Sequence, residues 1–74
     1  MADKQVDARG LNCPLPILRA KQALDEMDSG QTVHVLATDP SSVLDFKAFA
    51  ARTGHQLLEA QQVNDEFSFL LQKA

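Results

Sequence analysis

The residues best suited to chemistry lie in one short stretch, Asp7-Ala8-Arg9-Gly10-Leu11-Asn12-Cys13-Pro14-Leu15-Pro16, and Cys13 is the only cysteine of the chain. A thiol reacts as its thiolate, so its surroundings decide its use. An amphipathic pattern begins directly after Cys13, which puts the sulfur at or beside a helix N-terminus, where unpaired N–H groups and the helix dipole favour negative charge. Pro14 suits the first helical position, since its missing N–H would be unpaired there, and it steers Cys13 towards the extended dihedrals of an N-cap. Pro16 disfavours helical dihedrals at Leu15, so either the helix starts at Pro16 or Leu15 accepts a crowded first turn. The two rings stiffen the segment and hold a surface thiol in place. They also remove two first-turn donors, while Leu15 and Ile17 keep theirs, so the thiol pKa is expected only modestly below its ordinary value.

Cys13 falls outside the periodic apolar positions, which argues against a buried structural thiol. Arg9 and Lys21 are candidates to lend the thiol positive potential, set against a plain reading as solvated surface charges. Asp25, Glu26 and Asp28 read as a solvated cluster, with a docking patch for a basic partner as the alternative. His34 and His55 are too far from Cys13 and from each other in sequence to show zinc-site spacing, so neither metal nor cofactor is expected. A thiol enzyme such as a peroxidase or disulfide reductase would normally need a second cysteine to resolve its oxidised intermediate, and none is present.

Stepping outwards, 74 residues allow one domain, residues 1–74, with a thin core and no room for a deep substrate cavity. A single cysteine forms no internal disulfide, which fits a reducing, cytoplasmic setting. The net charge of −3 and the absence of Tyr and Trp argue against direct nucleic-acid binding, and no stretch has the length of a membrane span. The chain is expected to work as a monomer.

Five elements and a hairpin partner must position the thiol. Lys4–Ala8 reads as a first strand, closed by a turn signal at Arg9-Gly10-Leu11-Asn12. From Pro14 to Asp28, Ile17, Ala20, Leu24 and Met27 recur at helical spacing, with an end near Gly30. Thr32–Ala37 alternates as a second strand. Asp39-Pro40-Ser41-Ser42 stops it, and Ser42 with Asp45 resembles a capping box opening a second helix, whose stripe is Val43, Phe46, Phe49, Ala50 and Thr53 before Gly54. Gln56–Val63 and Phe67–Lys73 read as strands joined at Asn64-Asp65. The four phenylalanines are assigned to the core. The order βαβαββ, with right-handed crossovers, predicts an α/β two-layer sandwich: a four-stranded mixed sheet with both helices on one face.

The stretch Asp7-Ala8-Arg9-Gly10-Leu11-Asn12-Cys13-Pro14-Leu15-Pro16-Ile17-Leu18 resembles the signature of the TusA/SirA/YedF family of small sulfur carriers. Lys21, Gly30, Asp39-Pro40, Asp45-Phe46 and Thr53-Gly54-His55 also stand where that family has similar residues. The resemblance implies that Cys13 takes sulfane sulfur as a persulfide from a cysteine desulfurase or a rhodanese-type donor. It would pass the sulfur to a cysteine-bearing acceptor protein without independent turnover, supported by Pro14, Pro16, Arg9, Gly10 and Lys21. Destinations known in the family are tRNA thiolation, molybdenum-cofactor maturation and sulfur oxidation. The alternative is a non-catalytic regulatory or selenium-handling module, or a thiol redox protein, on the same fold.

Overall fold

The computed structural model describes residues 2–74. Alternation in the strands sends one set of side chains to a shared face, and that face is where the helices lie. Strands β1 (Lys4–Ala8), β2 (Thr32–Ala37), β3 (Gln56–Val63) and β4 (Glu66–Gln72) form one sheet in the order β1-β2-β4-β3. β1 pairs parallel with β2, Ala8 opposite Ala37, and β4 pairs antiparallel with β2 and with β3. Helix α1 (Leu15–Asp25) packs on β1 and β2, and α2 (Ser42–Thr53) on β3 and β4. This is the expected two-layer βαβαββ sandwich.

The core is the layer between. Val33, Val35 and Ala37 of β2 and Phe67, Phe69 and Leu71 of β4 meet Ala20, Ala23 and Leu24 of α1 and Phe46 and Phe49 of α2, all buried. Phe46 stacks on Phe69 with ring centroids 4.5 Å apart. Full burial of such a ring contributes roughly 1.5–3 kcal/mol, so these few contacts carry much of a small domain's stability. All four phenylalanines are in the core, as their positions predict.

The structure differs from expectation in four places. α1 runs from Leu15 to Asp25, not Pro14 to Asp28. Its end tightens, with the Glu26 and Met27 amides donating to the carbonyls of Ala23 and Leu24, and Met27 is still buried beyond the helix. The second helix is capped at Ser41, not Ser42. Ser42 turns inward instead, 1% exposed, and its hydroxyl finds no hydrogen-bond partner among the described residues. Thr53, expected in the apolar stripe, is exposed, its hydroxyl donating back to the Phe49 carbonyl at 2.7 Å. The last strand starts at Glu66 and ends at Gln72. Gly54 ends α2 at φ 85°, the left-handed cap its position suggests, and Asn64 takes φ 57° in the hairpin.

Candidate functional site

Because β1 and β2 are parallel neighbours, the loops leaving their C-terminal ends lie side by side. One, from Arg9 to Pro14, carries Cys13. The other, from Thr38 to Ser41, leads into α2. The two are laced together: the Gly10 amide donates to Thr38 Oγ1 at 2.9 Å, and the Cys13 amide donates to Asp39 Oδ2 at 2.6 Å. Gly10 has φ 82°, which only glycine adopts readily, and the turn is closed by the Leu11 amide on the Ala8 carbonyl at 3.2 Å.

Cys13 is exposed. The Cys13–Pro14 peptide is cis, and Pro14 is the N-cap of α1 rather than its first helical residue. Leu15 is the first helical residue and carries the crowding from Pro16, which is itself buried. The Leu15 amide is engaged by the Asn12 carbonyl at 2.8 Å, so one of the two donors expected to serve the sulfur is committed elsewhere. The Leu18 amide closes the first turn on the Pro14 carbonyl at 3.1 Å.

The thiol's electrostatic surroundings come from the other helix. The Asp45 carboxylate beside it favours the protonated thiol by hydrogen bonding, and desolvation and the charges of Asp45 and Asp39 push in the same direction. Only the Ser41 hydroxyl opposes them, and the thiol pKa is raised. The expected lowering is therefore corrected: two carboxylates outweigh a helix start that has lost donors to two prolines and to Asn12. Asp39 organises the group. It accepts from the Ser41 amide at 3.0 Å and the Ser41 hydroxyl at 2.9 Å as well as from Cys13, and these bonds hold its own pKa below the usual carboxylate value. Ser41 Oγ also lies 3.4 Å from Asp45 Oδ2.

Arg9 and Lys21 are engaged elsewhere. Arg9 forms a two-pronged pair with Asp7, 2.9 Å on each arm, reaches Glu66 at 3.6 Å, and holds the Asp7 carboxyl at about 2. Lys21 pairs with Asp25 at 2.8 Å, one turn along α1. Neither is among the groups acting on the thiol. His34 sits on the helix-free sheet face against Ser68, and His55 Nδ1 accepts from the Ala74 amide at 3.0 Å. Asp39, Ser41 and Asp45, which the sequence presents as a strand stop, a helix start and positions similar to the family's, are the members of the site that it does not connect to the thiol. The signal that points to them is topological: in parallel α/β pairs, functional groups gather beyond the carboxyl ends of adjacent strands.

The chain is thus a small two-layer α/β protein with one exposed thiol at a proline-stiffened helix start. Residues 4–73 match the family described as Sulfurtransferase TusA. The chain is 57% identical over 72 residues to the sulfur carrier protein TusA of Allochromatium vinosum, covering 97% of this chain and 95% of that relative. It is 44% identical over 72 residues to the putative sulfur carrier protein YrkI of Bacillus subtilis, covering 97% and 96%. The crystal structure of a SirA-like protein from Desulfitobacterium hafniense superposes with a TM-score of 0.82 at 31% identity, covering 93% of this chain and 95% of that one. The chain belongs to the TusA family.

Proposed function

We propose that this protein is a sulfur carrier whose Cys13 holds sulfane sulfur as a persulfide between a donor and an acceptor protein. The observation that carries the reading is a single exposed thiol on a stiff, hydrogen-bonded loop within a family whose curated members are named sulfur carriers. In loading, the Cys13 sulfur attacks the outer sulfur of a donor persulfide, the donor's S–S bond breaks, and the donor's thiolate leaves and takes up the proton that Cys13 gave up. In discharge, an acceptor thiolate attacks the outer sulfur on Cys13, and the Cys13 thiolate is released. Neither step changes the net oxidation state, and neither needs a metal or cofactor.

A raised thiol pKa works against release, because a more basic thiolate is the poorer leaving group, and its benefit lies in uptake and in the resting state. A more basic thiolate is the stronger nucleophile towards a donor, whereas the resting thiol stays protonated and slow to react with stray oxidants. The donor is a cysteine desulfurase or a rhodanese-type protein, and the acceptor carries its own cysteine. The setting is the reducing cytoplasm, where a lone exposed thiol persists. Tested by intact-mass spectrometry, the protein incubated with a cysteine desulfurase and cysteine gains one sulfur atom that reductant removes, and Cys13→Ser gains none while keeping its fold. No adduct with either class of donor overturns the reading.

A further inference from the structure

β1 is an edge strand. It pairs only with β2, so alternate residues along it direct N–H and C=O groups away from the sheet. α1 lies over this edge, and between them runs a shallow groove of about 320 Å³, floored by Lys4–Asp7 and walled by Arg19, Gln22, Ala23 and Glu26. Arg19, Gln22 and Ala23 of α1 and its C-cap Glu26 follow the i, i+3, i+4, i+7 spacing of a single flank. The groove therefore presents a free strand edge beside a parallel helical wall, the arrangement by which a peptide is added to a sheet as a further strand.

Charge narrows the occupant. Lys4 is tied to Glu26 at 2.7 Å and Asp7 to Arg9, so these charges are used inside the fold. Arg19 is exposed and makes no ion pair among the described residues. The other sheet edge is different: β3 carries an irregularity between Leu57 and Glu59, a device that disrupts edge pairing, and β1 has none. The groove also has a direction. Its Lys4–Glu26 end lies away from the thiol, and its Asp7–Arg19 end adjoins the loop that carries Cys13.

We propose that the groove between the β1 edge and α1 docks an extended, acidic segment of a partner protein as an added strand, with a carboxylate on Arg19. Calling that partner a member of the sulfur relay rests on the carrier reading; the groove itself does not. A segment seated this way ends beside Cys13 and brings its parent protein to the thiol without occupying it.

The test uses the full chain labelled with ¹⁵N and three probe peptides: acetyl-Thr-Val-Glu-Val-Thr-amide, its counterpart with Lys in place of Glu, and the Glu peptide N-methylated at alternate residues. The Glu peptide shifts the amides of Lys4–Asp7 and the Arg19 side chain, and binds about threefold or more tightly than the Lys peptide. Arg19→Glu, a surface change, reverses that order, and N-methylation abolishes binding. Equal affinity for the Glu and Lys peptides, undiminished binding of the N-methylated peptide, or shifts confined to β3 overturn the proposal. Sulfur takes no part in the titration, so failure of the groove and failure of the carrier reading give separate results: the first shows in peptide binding, the second in the mass of the loaded protein.

Discussion

Neither helix start has a side-chain cap hydrogen bond, but α1 begins with two prolines and no acidic residue in its first turn, whereas α2 has Asp45 in its first turn and follows a turn that carries Asp39 and Ser41. Both starts attract negative charge, but they meet the demand differently. α2 satisfies it with carboxylates of its own. α1 brings only the Cys13 sulfur, and the loop holding that sulfur donates its Cys13 amide to Asp39 in the turn before α2. A reactive group at one helix start thus takes its electrostatics from the next one when parallel strands bring the two loops together. Stiffness comes from the thiol's own segment, and charge comes from across the loop boundary.

The most forceful way to break this arrangement is to loosen α2. Phe46 is fully buried and stacked on Phe69, so Phe46→Ala costs about 3–5 kcal/mol, a large part of a small domain's stability. Thermal unfolding followed by circular dichroism gives the loss. A variant as stable as the parent contradicts the assignment of α2 as the anchor of the second loop.

Next in size is Asp39→Ala, which removes the acceptor shared by Cys13 and Ser41. The loop should lose order, read as faster hydrogen exchange at the Cys13 and Ser41 amides and a lower melting temperature. The pH dependence has a definite sign. Asp39 has a lower pKa folded than unfolded, so its contribution is complete above the ordinary carboxylate pKa and is lost as pH falls through the depressed one. The parent should lose stability on acidification through that window more steeply than Asp39→Ala. Parallel pH profiles contradict the assignment.

Asp45→Asn sharpens the comparison without dismantling it. Removing the largest influence that raises the thiol pKa moves the rate–pH curve for alkylation by iodoacetamide to lower pH. More of the thiol is then ionised near neutrality, so alkylation there speeds up, by less than the gain in thiolate because a less basic thiolate is the weaker nucleophile. An unmoved curve would return control of the sulfur to α1.

Much of this was legible in the chain. Alternation at Val33, Val35 and Ala37 and helical spacing at Ala20 and Leu24 specify which faces meet, and the order of elements limits the topology. The thiol's exposure followed from its place in a turn before proline. What a linear reading misses is contact between segments distant in sequence. Asp39 and Cys13 are 26 residues apart, and Asp39-Pro40-Ser41 reads locally as a strand stop and a helix start. Nothing near Cys13 in sequence reports that two carboxylates face it. Ser42 was misread for a related reason: Ser41 and Ser42 are chemically alike, and only the packing of α2 against the sheet decides which one caps and which is buried.

The smallest expected effect concerns how α2 ends. At Gly54 an added Cβ meets no atom within 4 Å, so Gly54→Ala tests backbone conformation alone. It should cost about 1 kcal/mol, lowering the melting temperature by roughly 4–8 °C, and leave thiol reactivity unchanged. A changed alkylation rate would mean that the far end of α2 also acts on the site.

Whether Cys13 holds sulfur in transit is decided by a chase experiment. The protein is loaded with ³⁵S by a desulfurase and labelled cysteine, separated from the donor, and mixed with a cysteine-bearing acceptor of the relay. Reductant-labile label is expected on Cys13 at the start and on the acceptor at the end, with the Cys13 thiol restored and none carried by Cys13→Ser. Label that loads on Cys13→Ser as well, or that stays on Cys13 when acceptors are offered, would contradict sulfur transit through Cys13.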